Sequence, residues 1–240
     1  MKQAWVNLYF IAAGTAVLLS GCAQDSLGRW CTFDESSFDI EQVSVLEDAM
    51  GEVNVHDAIV LDYDTSNLSP DSTWRVGTVE ALVMIPESQF ETYPDSITLS
   101  VEVFDSSNPN LSTPWVIEQT LDKRTLNWES VTLSSPDLAT EYQQKQAWWS
   151  FDFTGVIPET GMTSSTYMVG LYWKSANLPA IGYSNFNRPC DRNWTDYSDG
   201  FGWILNSERF NGLGMVDPNS CNWPMLRVNV EVREERTNCP

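Results

Sequence analysis

The sequence predicts an all-β protein, an antiparallel β-sandwich of about 9–11 strands with few or no helices. Apolar and polar residues alternate in several segments, most regularly over residues 226–233, where Leu226, Val228, Val230 and Val232 alternate with polar residues. A period of two is typical of a strand with one buried face. The segments are short and are separated by turn residues. Alternation, rather than continuous apolar runs, indicates antiparallel sheets that are solvated on one side.

The predicted strands follow one another along the chain. They occupy residues 40–46, 58–63, 74–85, 97–103, 115–121, 128–133, 149–153, 167–173, 181–184, 202–205 and 226–233. The first of them also fits a helix, because Val43, Leu46 and Met50 have the spacing of one helical face. One short helix is predicted to begin at Ser135, with Pro136 at its first helical position.

Residues 1–23 have the anatomy of an export signal. Lys2 precedes a mostly apolar run over residues 4–19, and the small residues Ser20 and Gly21 then precede Cys22. The stretch Leu19-Ser20-Gly21-Cys22 resembles the lipobox of bacterial lipoproteins. The resemblance implies that residues 1–21 are removed and that Cys22 carries the lipid, including its amide-linked palmitate. An ordinary signal cut near Ala23 and an uncleaved helical anchor are the alternatives, although the run is short for a span of about 20 residues.

The lipobox resemblance also implies a location and a domain organisation. Ala23, rather than Asp, follows the lipidated cysteine, which favours the outer membrane of a bacterial cell envelope. Residues 22–30 are then a tether, and residues 31–240 form a single β-sandwich domain. Because the tether is short, we expect the domain to lie close to the lipid surface.

The composition restricts the partners. The formal net charge is −20, and the Lys and Arg residues form no cluster, so nucleic acid is not an expected partner. The expected partners are the membrane, through the lipid, and either a glycan or another envelope protein.

The cysteines predict two disulfides. With Cys22 assigned to lipid, four of the five cysteines remain in an exported chain: Cys31, Cys190, Cys221 and Cys239. Three connectivities are open, and we favour Cys31–Cys239, which joins the two ends of the domain, with Cys190–Cys221. A structural zinc site is the alternative, but it is disfavoured because the chain has no C-x-x-C pair and a single distant histidine.

The densest group of aromatic and hydrogen-bonding residues lies between residues 190 and 203. Sugar rings stack on flat aromatic faces while polar side chains bind their hydroxyls, so we expect a ligand site here. Its candidate residues are Asp191, Arg192, Trp194, Tyr197 and Trp203. The alternative is that these aromatics cover one end of the sandwich. The layout of residues 147–233 resembles jelly-roll domains of the carbohydrate-binding-module type, which implies glycan binding.

Calcium is the one cofactor that the sequence suggests. Two loops each hold three carboxylates, which is the ligand type that calcium prefers. Asp191, Asp196 and Asp199 form one set, and Asp62, Asp64 and Asp71 form the other. Neither set fits an EF-hand loop.

We do not expect an enzyme. The lone histidine, His56, lies in a turn-like stretch and is interpreted as a surface residue rather than a base. The chain has no G-x-S-x-G or H-E-x-x-H motif. Three hypotheses therefore follow: a glycan-binding lipoprotein, a structural or assembly lipoprotein that binds an envelope protein, and, as the least supported, a glycoside-active enzyme that uses two carboxylates.

Overall fold

We derive the fold from a computed structural model. It describes residues 29–34, 43–46, 54–68, 72–135, 140–174, 180–184, 190–198, 200–211, 221 and 223–234. The predicted export signal, Cys22 and all but the last two residues of the predicted tether therefore lie outside the described residues. In the described part of the chain, no helix is long and apolar enough to cross a membrane.

Thirteen strands and one short α-helix are described. The strands are β1 (Arg29–Asp34), β2 (Val43–Leu46), β3 (Asn54–Asp62), β4 (Thr73–Pro86), β5 (Ser96–Phe104), β6 (Trp115–Asp122), β7 (Glu129–Ser135), β8 (Thr140–Asp152), β9 (Thr166–Lys174), β10 (Ala180–Ser184), β11 (Asn193–Asp196), β12 (Ile204–Leu205) and β13 (Leu226–Glu234). The helix α1 is Asn206–Asn211, and single 3-10 turns lie at Thr65–Asn67, Glu87–Gln89, Pro109–Leu111, Lys123–Thr125 and Cys190–Arg192.

The strands form two antiparallel sheets that pack against each other. The seven-stranded sheet is centred on β4, which pairs with β8 along one edge and with β13 and then β10 along the other. β1 extends this sheet beyond β13, β2 extends it beyond β10, and β7 extends it beyond β8. The six-stranded sheet has the order β12-β11-β3-β9-β5-β6. The predicted all-β antiparallel sandwich is confirmed, with thirteen described strands rather than about 9–11, because β1 and β11 were not predicted.

The main core lies between the two sheets and follows the predicted alternation. In β5, the inward residues Ile97, Leu99, Val101 and Val103 are fully buried. Each buried side chain of this kind contributes about 1.5–3 kcal/mol to stability. A smaller apolar cluster covers the outer face of each sheet, so that residues 81–85 of β4 are buried on both sides.

One end of the sandwich, which we call the Thr73 end, is formed by the loops at residues 62–68, 105–114 and 153–165. The Tyr63 and Trp74 rings lie 4.7 Å apart, and the Met162 N–H donates to the Trp74 carbonyl at 2.7 Å. The Asp105 carboxylate accepts the backbone N–H groups of two residues in the 153–165 loop. These contacts join both sheets at this end. β1 also starts here, because Arg29 lies opposite Glu234, the last residue of β13.

Several boundaries differ from the sequence prediction. β8 begins at Thr140 rather than at residue 149, because its polar first half pairs with β7. β1 begins two residues inside the predicted tether, and residues 193–196, expected in a loop, form β11. Ser135, the predicted N-cap of a helix, is the last residue of β7, and residues 136–139 lie outside the described residues.

Candidate functional site

The segment predicted to bind ligand is held at its start by a disulfide. Cys190 and Cys221 are bonded, with their Cα atoms 5.1 Å apart, which confirms one of the two predicted pairs. Both residues are buried. The other predicted pair, Cys31–Cys239, involves a residue outside the described part of the chain, so it stays a prediction. After the disulfide, the chain forms β11 at the edge of β3 and then β12.

The predicted ligand residues do not form one exposed platform. Trp194 and Trp203 are half-buried and pack on the apolar cluster of the outer face of the six-stranded sheet, whereas Tyr197 packs against the main core. The Arg192 guanidinium binds the Asp62 carboxylate, and Asp191 is exposed. The rings therefore cover the fold rather than project together toward solvent.

Three of the predicted calcium ligands, Asp62, Asp64 and Asp196, have other partners. Asp196 accepts the backbone N–H of Ser198 at 2.7 Å, and Asp199 lies outside the described residues. In the other loop, hydrogen bonds from Arg192 lower the pKa of Asp62, and hydrogen bonds from Ser66 lower the pKa of Asp64. Asp71 is also outside the described residues. Within the described ranges, no three His, Cys, Asp or Glu side chains are grouped to hold a metal ion.

His56 does not lie in a turn, as the sequence suggested, but within β3 on the outer face of the six-stranded sheet. Its Nδ1 atom lies 3.3 Å from a carboxylate oxygen of Glu102, whose side chain is only 8% exposed. The imidazole stacks on Tyr172 with ring centroids 4.0 Å apart and meets Trp203 edge-on at 5.5 Å. The sequence suggested a turn because the polar residues His56 and Asp57 interrupt the local apolar pattern. Both residues nevertheless pair in register with β9 on one side of β3 and with β11 on the other.

A groove of about 510 Å³ opens at one side of the sandwich, between β6 of one sheet and β8 of the other. This volume falls within the range of small-ligand sites. Its lining combines apolar surface with amides, hydroxyls and carboxylates, and it contains no basic side chain: Glu80, Gln119, Leu121, Thr125, Leu126, Asn127, Glu129, Gln146, Ala147, Trp148, Trp149 and Ser150. We refer to it as the edge groove.

The edge groove exists because β8 has an open edge. The ladder between β7 and β8 stops at the pair of Glu129 and Gln146, so residues 147–152 of β8 have a described ladder partner only on the β4 side. The Gln119 side chain of β6 reaches across this opening. Its Nε2 donates to the Ser150 carbonyl at 3.3 Å, and its Oε1 accepts from the Trp149 indole at 2.8 Å. These bonds hold the two sheets together beside the groove without filling it.

Trp148 supplies the aromatic surface of the groove. It is half-buried, and it packs against the outer apolar cluster of the seven-stranded sheet. The Arg227 guanidinium carbon lies 3.9 Å from the ring centroid, and the same guanidinium is 3.5 Å from the Glu80 carboxylate. The Trp148 ring is therefore held in place, as a stacking surface requires.

Sequence reasoning missed this site. Trp148 and Trp149 are adjacent, so alternation alone indicates that only one of them faces the core. Trp149 is the buried one. The other lining residues come from β4, β6, β7, β8 and the turn between β6 and β7, and only the pairing of these strands brings them together.

No family model, curated protein or solved structure matches the chain.

Proposed function

We propose that this protein is a lipid-anchored lipoprotein of the bacterial cell envelope, at the outer membrane, and that its sandwich domain binds a glycan without catalysis. The ligand lies in the edge groove rather than on the predicted Trp194–Trp203 segment. The observation that carries the proposal is the lining of the groove, in which a fixed indole ring lies among amide, hydroxyl and carboxylate side chains.

The lining matches the two surfaces of a sugar. Pyranose rings have apolar C–H faces that pack on an indole, and Trp148 is the half-buried indole of the groove. Their edges carry hydroxyls, for which Gln146, Asn127 and Glu129 supply donors and acceptors. Of the two lining carboxylates, Glu80 is paired with Arg227, whose guanidinium also lies over the Trp148 ring, so the charge of Glu80 is offset and we expect neutral sugars to bind in preference to charged ones.

Two features support the location. The lipobox-like stretch before Cys22 supports lipid attachment, and the Cys190–Cys221 disulfide supports an oxidising compartment outside the cytoplasm. Replacing Cys22 with Ser tests the anchor. We expect the variant to lose lipid labelling and to leave the membrane fraction, and unchanged fractionation with an unchanged mature mass would contradict it.

A matched pair of glutamines in β8 tests the groove. Gln146 lines the groove, whereas Gln143 lies three residues away, outside the lining, and bonds to Thr132. On an array of neutral, amino and acidic glycans, we expect Gln146→Ala to weaken binding of the captured glycan by about 0.5–1.5 kcal/mol. Gln143→Ala should bind like the unmodified protein.

Trp148→Ala is the stronger variant, and it needs a stability control because Trp148 also packs on the sheet. We expect it to lose glycan binding by about 1 kcal/mol or more at a temperature where urea unfolding shows it fully native. An unmodified protein that captures no glycan would remove the sugar-binding function. The assembly hypothesis, with an envelope protein as partner, would then take its place.

Hydrolysis is a second outcome of the same experiment, because Glu80 and Glu129 line one groove and a pair of carboxylates can cleave a glycoside. If the captured glycan is shortened on incubation, and if Glu129→Gln abolishes the shortening, the protein is an enzyme. We expect the glycan to be released intact.

A further inference from the structure

The point at which the chain enters the sandwich restricts how an anchored molecule can lie. β1 starts at Arg29, at the Thr73 end. If Cys22 holds the lipid, only the residues between Cys22 and Arg29 separate this end from the bilayer, and they span about 25 Å at most. The Thr73 end is therefore the part of the domain that the tether keeps near the lipid.

Three of the four large apolar side chains that are exposed in the described part of the chain lie at or beside the same end. Four large apolar residues of the described part of the chain are exposed: Leu111, Val116, Val156 and Phe201. Leu111 and Val156 lie in two of the loops that form the Thr73 end, and Leu111 is 79% exposed. Val116 is the second residue of β6 and lies beside this end. Apolar groups in this position gain free energy by contact with the acyl boundary of a bilayer.

Two of the carboxylates at the Thr73 end are paired with guanidinium groups, although the whole chain is strongly acidic. Asp62 is paired with Arg192, and Glu159 is paired with Arg233 at 2.8 Å. Asp105 accepts hydrogen bonds from backbone N–H groups. Compensation of these carboxylates reduces the repulsion that an anionic headgroup layer would otherwise exert on the domain.

We propose that the Thr73 end rests on the lipid surface, with Leu111 and Val156 in contact with it, and that the edge groove is thereby held away from the membrane. The inference rests on the lipid anchor proposed above. The groove residues of β8, Gln146–Ser150, pair with Glu80–Met84 of β4. These β4 residues lie seven to eleven residues along the strand from Thr73. At the rise of a β-strand, this separation is about 24–37 Å. A glycan therefore reaches the groove from the side and from the far end.

Fluorescent labels on single introduced cysteines test this orientation. The acylated protein is placed in vesicles of phosphatidylethanolamine and phosphatidylglycerol, with or without brominated acyl chains, which quench a fluorophore on contact. Labels are attached to Leu111→Cys and to Val156→Cys. The matched control is Ser88→Cys, an exposed residue in the turn after β4 at the opposite end.

We expect brominated lipid to reduce the fluorescence at positions 111 and 156 and to leave the signal at position 88 unchanged. Vesicle-bound protein with quenching at position 88, or at none of the three positions, overturns the orientation and leaves the anchor and the glycan site intact. Protein that does not sediment with the vesicles overturns the anchor and the orientation together. Glycan capture on the array is independent of both results.

Discussion

Removing the Cys190–Cys221 disulfide should cost a large share of the stability of this domain. The two cysteines are 31 residues apart in the sequence. For a closed loop of this length, the chain-entropy relation gives about 3.7 kcal/mol at 25 °C, because the crosslink restricts the unfolded chain. Domains are stable by only about 5–15 kcal/mol, so we expect the variant to fold but to unfold at a clearly lower denaturant concentration.

The measurement is equilibrium unfolding in guanidinium chloride of the unmodified protein, of Cys190→Ala and of the double variant Cys190→Ala/Cys221→Ala. Variants are preferable to a reducing agent, because the predicted Cys31–Cys239 bond would be reduced as well. Both variants lack the same crosslink, so they should lose similar free energy, and the slope with denaturant should rise as the unfolded chain expands. A loss below about 1 kcal/mol in both variants would refute the reasoning, because it would mean that the crosslink does not restrict the unfolded chain.

Three further changes have expected outcomes that denaturant unfolding can check. Lys123 is fully buried and donates to two main-chain carbonyls of the loop at residues 90–95. Lys123→Met should therefore lower the free energy of unfolding by about 3 kcal/mol. A loss below about 1 kcal/mol would mean that water replaces the ammonium group. Gly161 has a φ of 73°, and a Cβ there would lie 2.5 Å from a carbonyl oxygen of β4. Gly161→Ala should therefore be destabilising by more than about 1 kcal/mol. The control, Gly155→Ala, has open space around it and should be nearly neutral. The hydrogen bond from Arg192 holds the pKa of Asp62 below its ordinary value, so this pair contributes stability above a pH of about 4 and loses it as the pH falls further. The free-energy difference between the unmodified protein and Asp62→Asn, about 0.5 kcal/mol at neutral pH, should therefore shrink toward pH 3, and a constant difference would contradict the assignment.

Local pattern in the sequence is sufficient for the fold class of this protein. The alternation in β5 and β13 depends only on which face of a strand is buried, and this requirement is met within each segment. The Cys190–Cys221 pair was also predictable, because the expected export and lipidation of the chain leave an even number of cysteines for disulfides, and a short intervening loop favours a local bond. The last β-strand runs from Leu226 to Glu234, as its period of two indicated.

The candidate sites depended on the pairing of distant strands, which no local pattern reveals. Trp148 and Gln119 border one groove because β8 and β6 belong to different sheets that meet at their edges. His56 meets Glu102 because β3 and β5 both pair with β9. Aromatic density between residues 190 and 203 does not by itself distinguish half-buried rings on the outer face of a sheet from ligand-stacking rings, since both have the same composition. The sequence determines which side chains are aromatic. Strand register and sheet packing determine whether each ring is buried or exposed, because they determine which residues of other strands lie beside it.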